Sequence, residues 1–441
     1  MLWSLHPSMF IADVPAGTDS LTVDSVLGPH IYVFYAAFVI SFIFTPVMRL
    51  IAIHYNIVDQ PDRIRKIHSQ PVAYLGGIAV FMGWLAGLAL SQVHISNPDP
   101  FAGSLPIRAS VIIGAVVIVT LGLWDDIKRL SPWVKIGGQC AAGLLLVREG
   151  VGTHCLGPIF SPINQHLAAV GWPIVPALVQ QVASGLVAVA MVVGCCNATN
   201  LMDGLDGLCG GVTAIIAAGF LFLAINIATV GVDSQDPQWN AVRIVLALAL
   251  LGAVLGFVPY NFNPASIFMG DAGSMFLGYA CATIILLLAQ SQSRWFLAAM
   301  VMFALPIMDT ALAFARRFVN RRPLFSADRH HFHHQLVDRG LSVRLAVLLS
   351  YLLTIFFTLL GALVVYMRSR YAGAVYLVVF GSIIVAAYKM GMVHEKTRVV
   401  KPTSLADTGT AVGPSEVETQ NVLEIRGSST KSMATASHAA K

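Results

Sequence analysis

Eleven apolar stretches, nearly all close to the length needed to cross a lipid bilayer, constrain this chain more than any other feature. They run over about 31–53, 72–91, 109–124, 135–149, 178–196, 208–230, 241–258, 274–290, 295–316, 343–366 and 371–391. A span takes roughly 20 apolar residues, so the third and fourth stretches are short for the role. A chain that is 56% hydrophobic and only 11% charged, with a mean hydropathy of +0.74, lies outside the range of soluble domains. The expected fold is all-α: a polytopic integral membrane protein with about eleven transmembrane helices.

The domain organisation follows from the same pattern. Residues 1–30 hold Asp13, Asp19 and Asp24 but no Lys or Arg, unlike the basic start of a signal peptide, and are expected as an outside tail. Residues 31–392 form the membrane-embedded domain, and 393–441, rich in Ser, Thr, Ala and Lys without apolar period, are expected as a disordered cytoplasmic tail. An odd number of spans puts the C-terminus inside. The charges agree: Arg63, Arg65, Lys66, Lys128, Arg129, Lys135, Arg317, Arg321, Arg322, Arg329 and Arg339 fall in the loops this assigns to the cytoplasm. The net charge of +5 therefore reads as topology and attraction to anionic headgroups, not as nucleic-acid binding.

On this topology every polar cluster lies on one side. Loop one reads DQPDRIRKIHSQPVAYLGG; loop two begins LGLWDDIKRLSPWVKIGGQ, with Asp125, Asp126 and Lys135; loop three is NATNLMDGLDGL; loop four is NFNPASIFMGDAGS, with Asp271; loop five is RRFVNRRPLFSADRHHFHHQL. Asn197, Asn200, Asp203 and Asp206 recur every three residues and would share one broad face of a helical turn, where Gly204 and Gly207 loosen the backbone. Carboxylates beside hydrocarbon cost a few kcal/mol each, so five aspartates at span ends ask for a cation. Magnesium or manganese accepts one or two carboxylates and leaves its other positions to water and phosphate. Lys135 and the arginines of loop five would hold phosphate oxygens, and the whole describes phosphoryl transfer.

Each cluster also has a plainer reading. Asp125 and Asp126 could be a solvated helix terminus; Asp271 could simply cap the next span; Arg316, Arg317, Arg321 and Arg322 could be a positive-inside anchor. DGLDG imitates a calcium loop but lacks the closing Glu. HHFHH has no nearby cysteine to complete a structural zinc site, so histidines beside Arg329 fit contact with an anionic substrate or proton transfer better.

The order and spacing of DDIKRLSPWVK, NATNLMDGLDGL, NFNPASIFMGDAGS and SADRHHFHHQL, with KIHSQPVAYLGG near the start, resemble the polyprenyl-phosphate N-acetylhexosamine-1-phosphate transferases, the membrane family of the WecA and MraY type. The match spans roughly residues 60–345. It implies transfer of sugar 1-phosphate from a UDP-sugar to undecaprenyl or another polyprenyl phosphate at the plasma membrane, with UMP leaving on the cytoplasmic side and the lipid-linked product starting a cell-envelope polysaccharide. By the family's pattern Asp271 and Asn200 are the metal ligands, for Mg2+ or Mn2+. Asp125, Asp126, Asp203, Asp206, His331, His333 and His334 form the catalytic set. Lys135, Asn197, Asn263, Phe268, Arg321, Arg322, Arg329, Lys66 and His68 are the substrate-binding set. The SADR–HHQL ending and the PVAYLGG loop resemble the enzymes that use UDP-N-acetylglucosamine more than those that use UDP-muramoyl-pentapeptide.

The implied chemistry is attack of the lipid phosphate on the β-phosphorus, with a covalent phospho-aspartate as the two-step alternative. Rival functions are a secondary transporter for anionic substrates, whose site would sit near the bilayer midplane, and a silent lipid-binding subunit, which has no need for Asp203, Asp206 and Asp271 together. The sequence leaves the oligomeric state open, a homodimer included.

Overall fold

The computed structural model describes residues 22–59, 72–92, 107–230, 237–321 and 331–367, with scattered positions between 371 and 385. Backbone in a lipid core has no water to bond, so apolar runs close their hydrogen bonds internally as helices. In chain order these are α1 (Val23–Leu27), α2 (Ile31–His54), α3 (Gly76–Ser91), α4 (Ala109–Lys128), α5 (Pro132–Arg148), α6 (Gly157–Ala169), α7 (Ala177–Met202), α8 (Leu208–Val230), α9 (Pro237–Asn261), α10 (Gly270–Ala289), α11 (Ser293–Met302), α12 (Ala304–Val319), α13 (Phe332–Asp338) and α14 (Val343–Val365). Two short strands, β1 (Val58–Asp59) and β2 (Val72–Ala73), pair antiparallel between α2 and α3.

Seven helices among the described residues are long and apolar enough to cross a membrane, and an eighth span forms if α11 and α12, bent 70° from each other, count as one. The protein is thus an all-α, multi-pass membrane protein. Of the other expected spans, α3 and α5 run for 16 and 17 residues, about 25 Å against a hydrocarbon core of about 30 Å. The stretch 371–391 lies largely outside the described residues. Apolar side chains turned outward, such as Leu50, Leu178 and Leu359, mark surfaces suited to lipid.

The bundle is built around α10. Every residue of this helix except Asp271 is buried, and α3, α4, α7, α8, α9 and α11 surround it. Close approach rests on small residues, the usual device where helices pack in lipid. At Gly122 of α4 an added Cβ would run into the Ala272 backbone. Because α4 touches the start of α10 at this position, Asp125 and Asp126, three and four residues on, share the same helix face and reach the same end.

That end collects the termini that matter. α4, α7 and α9 finish there, and α5, α8, α10 and α14 begin there. Pro132 opens α5 at the first helical position, where a missing N–H costs nothing. The segment after α9 is pinned in extended form beside β2: Phe268 N donates to Ala73 O at 2.8 Å, and Gly76 N donates to Phe268 O at 3.0 Å. Loop one is therefore anchored at the same end on both flanks, although residues 60–71 themselves lie outside the described residues.

Candidate active site

The centre of the site is Asp271, in the first turn of α10. Its Oδ2 accepts from Lys135 Nζ of α5 at 2.7 Å, and its Oδ1 accepts from Asn200 Nδ2 of α7 at 2.9 Å. Asn200 also donates to Ser274 Oγ at 3.0 Å. Lys135 makes a second, tighter ion pair with Asp125. A single ammonium thus bridges carboxylates from α4 and α10, and four helices meet within one hydrogen-bonded cluster.

Asp126 has a different part. Both its oxygens accept from the opening amides of α10, Asp271 N at 2.8 Å and Ala272 N at 3.2 Å. A helix N-terminus carries about half a positive charge on unpaired N–H groups, so a carboxylate from α4 satisfies it. Gly270, at φ +72°, makes the turn into α10, and a Cβ there would lie 2.7 Å from Asp126 Oδ2. The plain reading that Asp271 caps α10 gives way here: Asp126 caps it, and Asp271 is left to face Lys135 and Asn200. Nor is the Asp125–Asp126 pair a solvated terminus, since Asp125 is 9% exposed.

The run of four residues at spacing three does not stay on one helical face. α7 ends at Met202 with Asp203 as its cap, and Gly207 at φ +79° turns the chain into α8. Asn200 reaches Asp271, but Asn197 donates to Gln139 Oε1 at 2.8 Å and to Val193 O at 2.8 Å, within the α5–α7 contact. Asp206, beyond the helix, accepts from Asn263 Nδ2 at 2.9 Å and Ala265 N at 3.1 Å. It fixes the loop that leads to Phe268, whose backbone is held by β2. The carboxyl of Asp203 is pushed up to about 8, first by burial and then by Asp271, Asp126 and Asp206.

The histidines form the remaining wall. An added Cβ on Gly204 would strike His333 Nε2 and stand 2.9 Å from His334 Nε2, so α13 leans on the turn after α7. His331 and His333 stack with centroids 5.8 Å apart, and His333 and His334 lie 4.4 Å apart. Burial drives His333 down to about 3, and the charges of His334 and His331 add to this against the pull of Asp309. Asp309, in α12, is 3% exposed and sits beside the first two histidines.

Of the predicted residues, Asp125, Asp126, Lys135, Asn200 and Asp271 meet directly. Asp203, Asp206, Asn263 and Phe268 line the adjoining turn and loop, and His333 and His334 close on it at Gly204. Arg321 is exposed at the end of α12. Lys66, His68, Arg322 and Arg329 lie outside the described residues. Arg316 and Arg317, weighed as a surface anchor, are buried at 3% and 8%. Sequence reasoning passed over Asp309, although a lone acid within an apolar span is costly enough to signal a role. It also passed over Asn261, which accepts from Gly207 N at 3.1 Å and donates to Ile267 O at 3.0 Å, and Tyr351 of α14, whose hydroxyl donates to Gly207 O at 2.6 Å.

The donor chemistry suits a hard divalent cation. Among the described residues no three His, Cys, Asp or Glu side chains converge as a closed metal cage. Magnesium does not ask for one, since it binds through one or two carboxylates and keeps water or phosphate elsewhere. Asp271, with carboxylates Asp125 and Asp126 on its flanks, is the carboxylate that could hold such a cation, with Asn200 beside it; Lys135 and Asn200 occupy its two oxygens here.

Residues 108–289 match glycosyl transferase family 4, a segment that runs from the start of α4 to the end of α10. The chain is 33% identical over 330 residues to a Bacillus subtilis (strain 168) protein named "Probable undecaprenyl-phosphate N-acetylglucosaminyl 1-phosphate transferase", covering 73% of this chain and 82% of that one. It is 34% identical over 336 residues to the decaprenyl-phosphate N-acetylglucosaminephosphotransferase of Mycolicibacterium smegmatis, covering 72% and 77%. A phospho-N-acetylmuramoyl-pentapeptide-transferase of Bacillus mycoides is 27% identical over 256 residues, covering 57% and 71%. With its motifs gathered at one end of a helical membrane bundle and relatives at this identity and coverage, the chain belongs to glycosyl transferase family 4, among the polyprenyl-phosphate N-acetylhexosamine-1-phosphate transferases.

Proposed function

We propose that this protein transfers N-acetylglucosamine 1-phosphate from UDP-N-acetylglucosamine to undecaprenyl or another polyprenyl phosphate, releasing UMP. The observation that carries the reading is the Lys135–Asp271–Asn200 contact at the N-terminus of a buried helix. It puts cationic and carboxylate groups where a lipid-borne phosphate and a soluble nucleotide can both arrive. A transporter would need its polar groups near the midplane, and these lie at helix ends. The acetylglucosamine branch is favoured by two relatives of that name at 33% and 34% identity, although two others stand at 26%, level with the muramoyl-pentapeptide enzyme at 27%.

An oxygen of the lipid phosphate attacks the β-phosphorus of the sugar nucleotide, and the bond from that phosphorus to the bridging oxygen breaks. A phosphate monoester has its second pKa near 6, so the nucleophile is already ionised and a base contributes little. Lys135 offsets charge that grows on the departing UMP, and the amide end of α10 favours anions in the same place. Both oxygens of Asp126 are taken by backbone amides, and Asp125 is bound to Lys135; neither stands as a free nucleophile, which supports one-step displacement. Asp271 and Asn200 would hold Mg2+, or Mn2+, which when bound supplies charge neutralisation for the diphosphate.

With positive-inside charges Lys128, Arg129 and Lys135 beside it, the site faces the cytoplasm of a plasma membrane. α3, α5 and the stretch 371–391 would complete a count of eleven spans. The test is direct. Purified protein in detergent with UDP-N-acetylglucosamine, polyprenyl phosphate and magnesium should release UMP and form a lipid-linked sugar with its anomeric configuration retained. Chelation of the metal or Asp271→Asn should abolish turnover. Release of UDP instead of UMP would mean a different bond is broken and would sink the proposal.

A further inference from the structure

The motif histidines are braced by a carboxylate from a helix that carries none of the motifs. Asp309 lies within α12, which packs against α7, and is 3% exposed. Its Oδ1 accepts from Phe332 N, the first amide of α13, at 2.7 Å. Its Oδ2 accepts no hydrogen bond among the described residues, and lies at ion-pair distance from both rings, 3.2 Å from His331 Nδ1 and 3.7 Å from His333 Nδ1. Both imidazoles thus turn the same nitrogen toward one carboxylate oxygen. The opposite nitrogen of His333, Nε2, is buried, faces Gly204 and has no partner among the described residues.

We propose that Asp309 is a positioning residue: it keeps the protons of His331 and His333 on Nδ1, so that His333 presents a bare Nε2 acceptor to the Asp203–Gly207 turn. A carboxylate offers no proton, so its charge at 3.2 Å and 3.7 Å favours the tautomer with the proton on Nδ1 and leaves the far nitrogen as the acceptor. His333 is 2% exposed and burial depresses its basicity, which keeps the ring neutral. The chemical consequence is selective. A neutral Nε2 acceptor does not bind phosphate oxygens; it takes a hydrogen-bond donor, such as a hydroxyl or amide N–H of the sugar nucleotide. Phosphate binding is then left to Lys135 and the α10 terminus.

This inference rests on the transferase reading above, and its test separates the two. Asp309→Asn keeps an oxygen for Phe332 N but turns an NH2 toward the histidines, which reverses the tautomer with little change in volume. The expected result is a fall in kcat of about 100-fold or more with KM for UDP-N-acetylglucosamine within about threefold, and partial recovery in Asp309→Glu. In parallel, 15N spectra of histidine-labelled protein in nanodiscs, assigned with His331→Gln and His333→Gln, should show Nδ1–H in the wild type. A wild-type kcat in Asp309→Asn, equal losses in the Asn and Glu variants alongside a lowered thermal midpoint, or Nε2–H in the wild-type spectrum would each overturn it. If Asp309→Asn does not fold, the wild-type spectrum decides alone. If the wild type releases no UMP, the transferase reading fails while the spectrum still judges Asp309.

Discussion

Asp125 and Asp126 are neighbours in sequence whose side chains meet different needs, and that difference can be measured. Asp126 satisfies two amides of α10, whereas Asp125 shares Lys135 with Asp271. Removing Asp126 leaves a buried helix end uncapped, which costs about 0.5–2 kcal/mol. Removing Asp125 still leaves Lys135 a carboxylate partner. Asp126→Ala should therefore lower the thermal midpoint in detergent more than Asp125→Ala, with turnover lost in both; the reverse order would contradict the cap. His333 gives a pH test. Its folded pKa of about 3 lies below an unfolded value near 6.5, so the unfolded chain binds the extra proton first. Its contribution to stability is complete above about pH 6.5 and is lost progressively as pH falls toward 3. Thermal midpoints recorded from pH 7 to pH 5 should decline, and His333→Gln should flatten that slope.

Helices and their order were legible because an apolar run in lipid has one economical backbone solution; the stretches at 31–53 and 208–230 return as α2 and α8 nearly residue for residue. Motif chemistry was legible too, since Lys135, Asn200 and Asp271 were singled out by type and meet in space. What stayed hidden were contacts set by packing between distant segments. No local pattern says that Asp126 caps a helix beginning at Gly270, or that Asn197 turns to Gln139 while Asn200 turns to Asp271. Those choices follow from where α4, α5 and α7 touch α10, and Gly122 is one hinge of that contact. Gly122→Ala pushes a methyl into the Ala272 backbone, so it should destabilise by about 1–3 kcal/mol and disturb the site through α10. Gly137→Ala, on α5, meets nothing within 4 Å and should be neutral or slightly stabilising. Paired thermal scans and UMP-release assays of the two variants would expose an error in the helix packing.

At the level of the bundle, the motif carboxylates, Lys135 and the histidines gather at one end among the described residues, which is what a reaction between a lipid-anchored and a soluble substrate demands. A lipid phosphate cannot leave the interface, and a nucleotide sugar made in the cytoplasm cannot reach the far side unaided. The proposed reaction therefore puts the active end on the cytoplasmic side. Lys128, exposed at the end of α4, marks that face, while His154, exposed between α5 and α6, marks the other. Five of the six cysteines are buried and Cys140 is partly so, so a Cys140→Ser background offers few competing thiols. In that background Lys128→Cys should react with a membrane-impermeant maleimide in inverted vesicles and stay protected in intact cells, and His154→Cys should do the opposite. If the pattern came out reversed, Asp271 would face away from the cytoplasmic nucleotide pool, and the same cluster of carboxylates and lysine would need a different substrate.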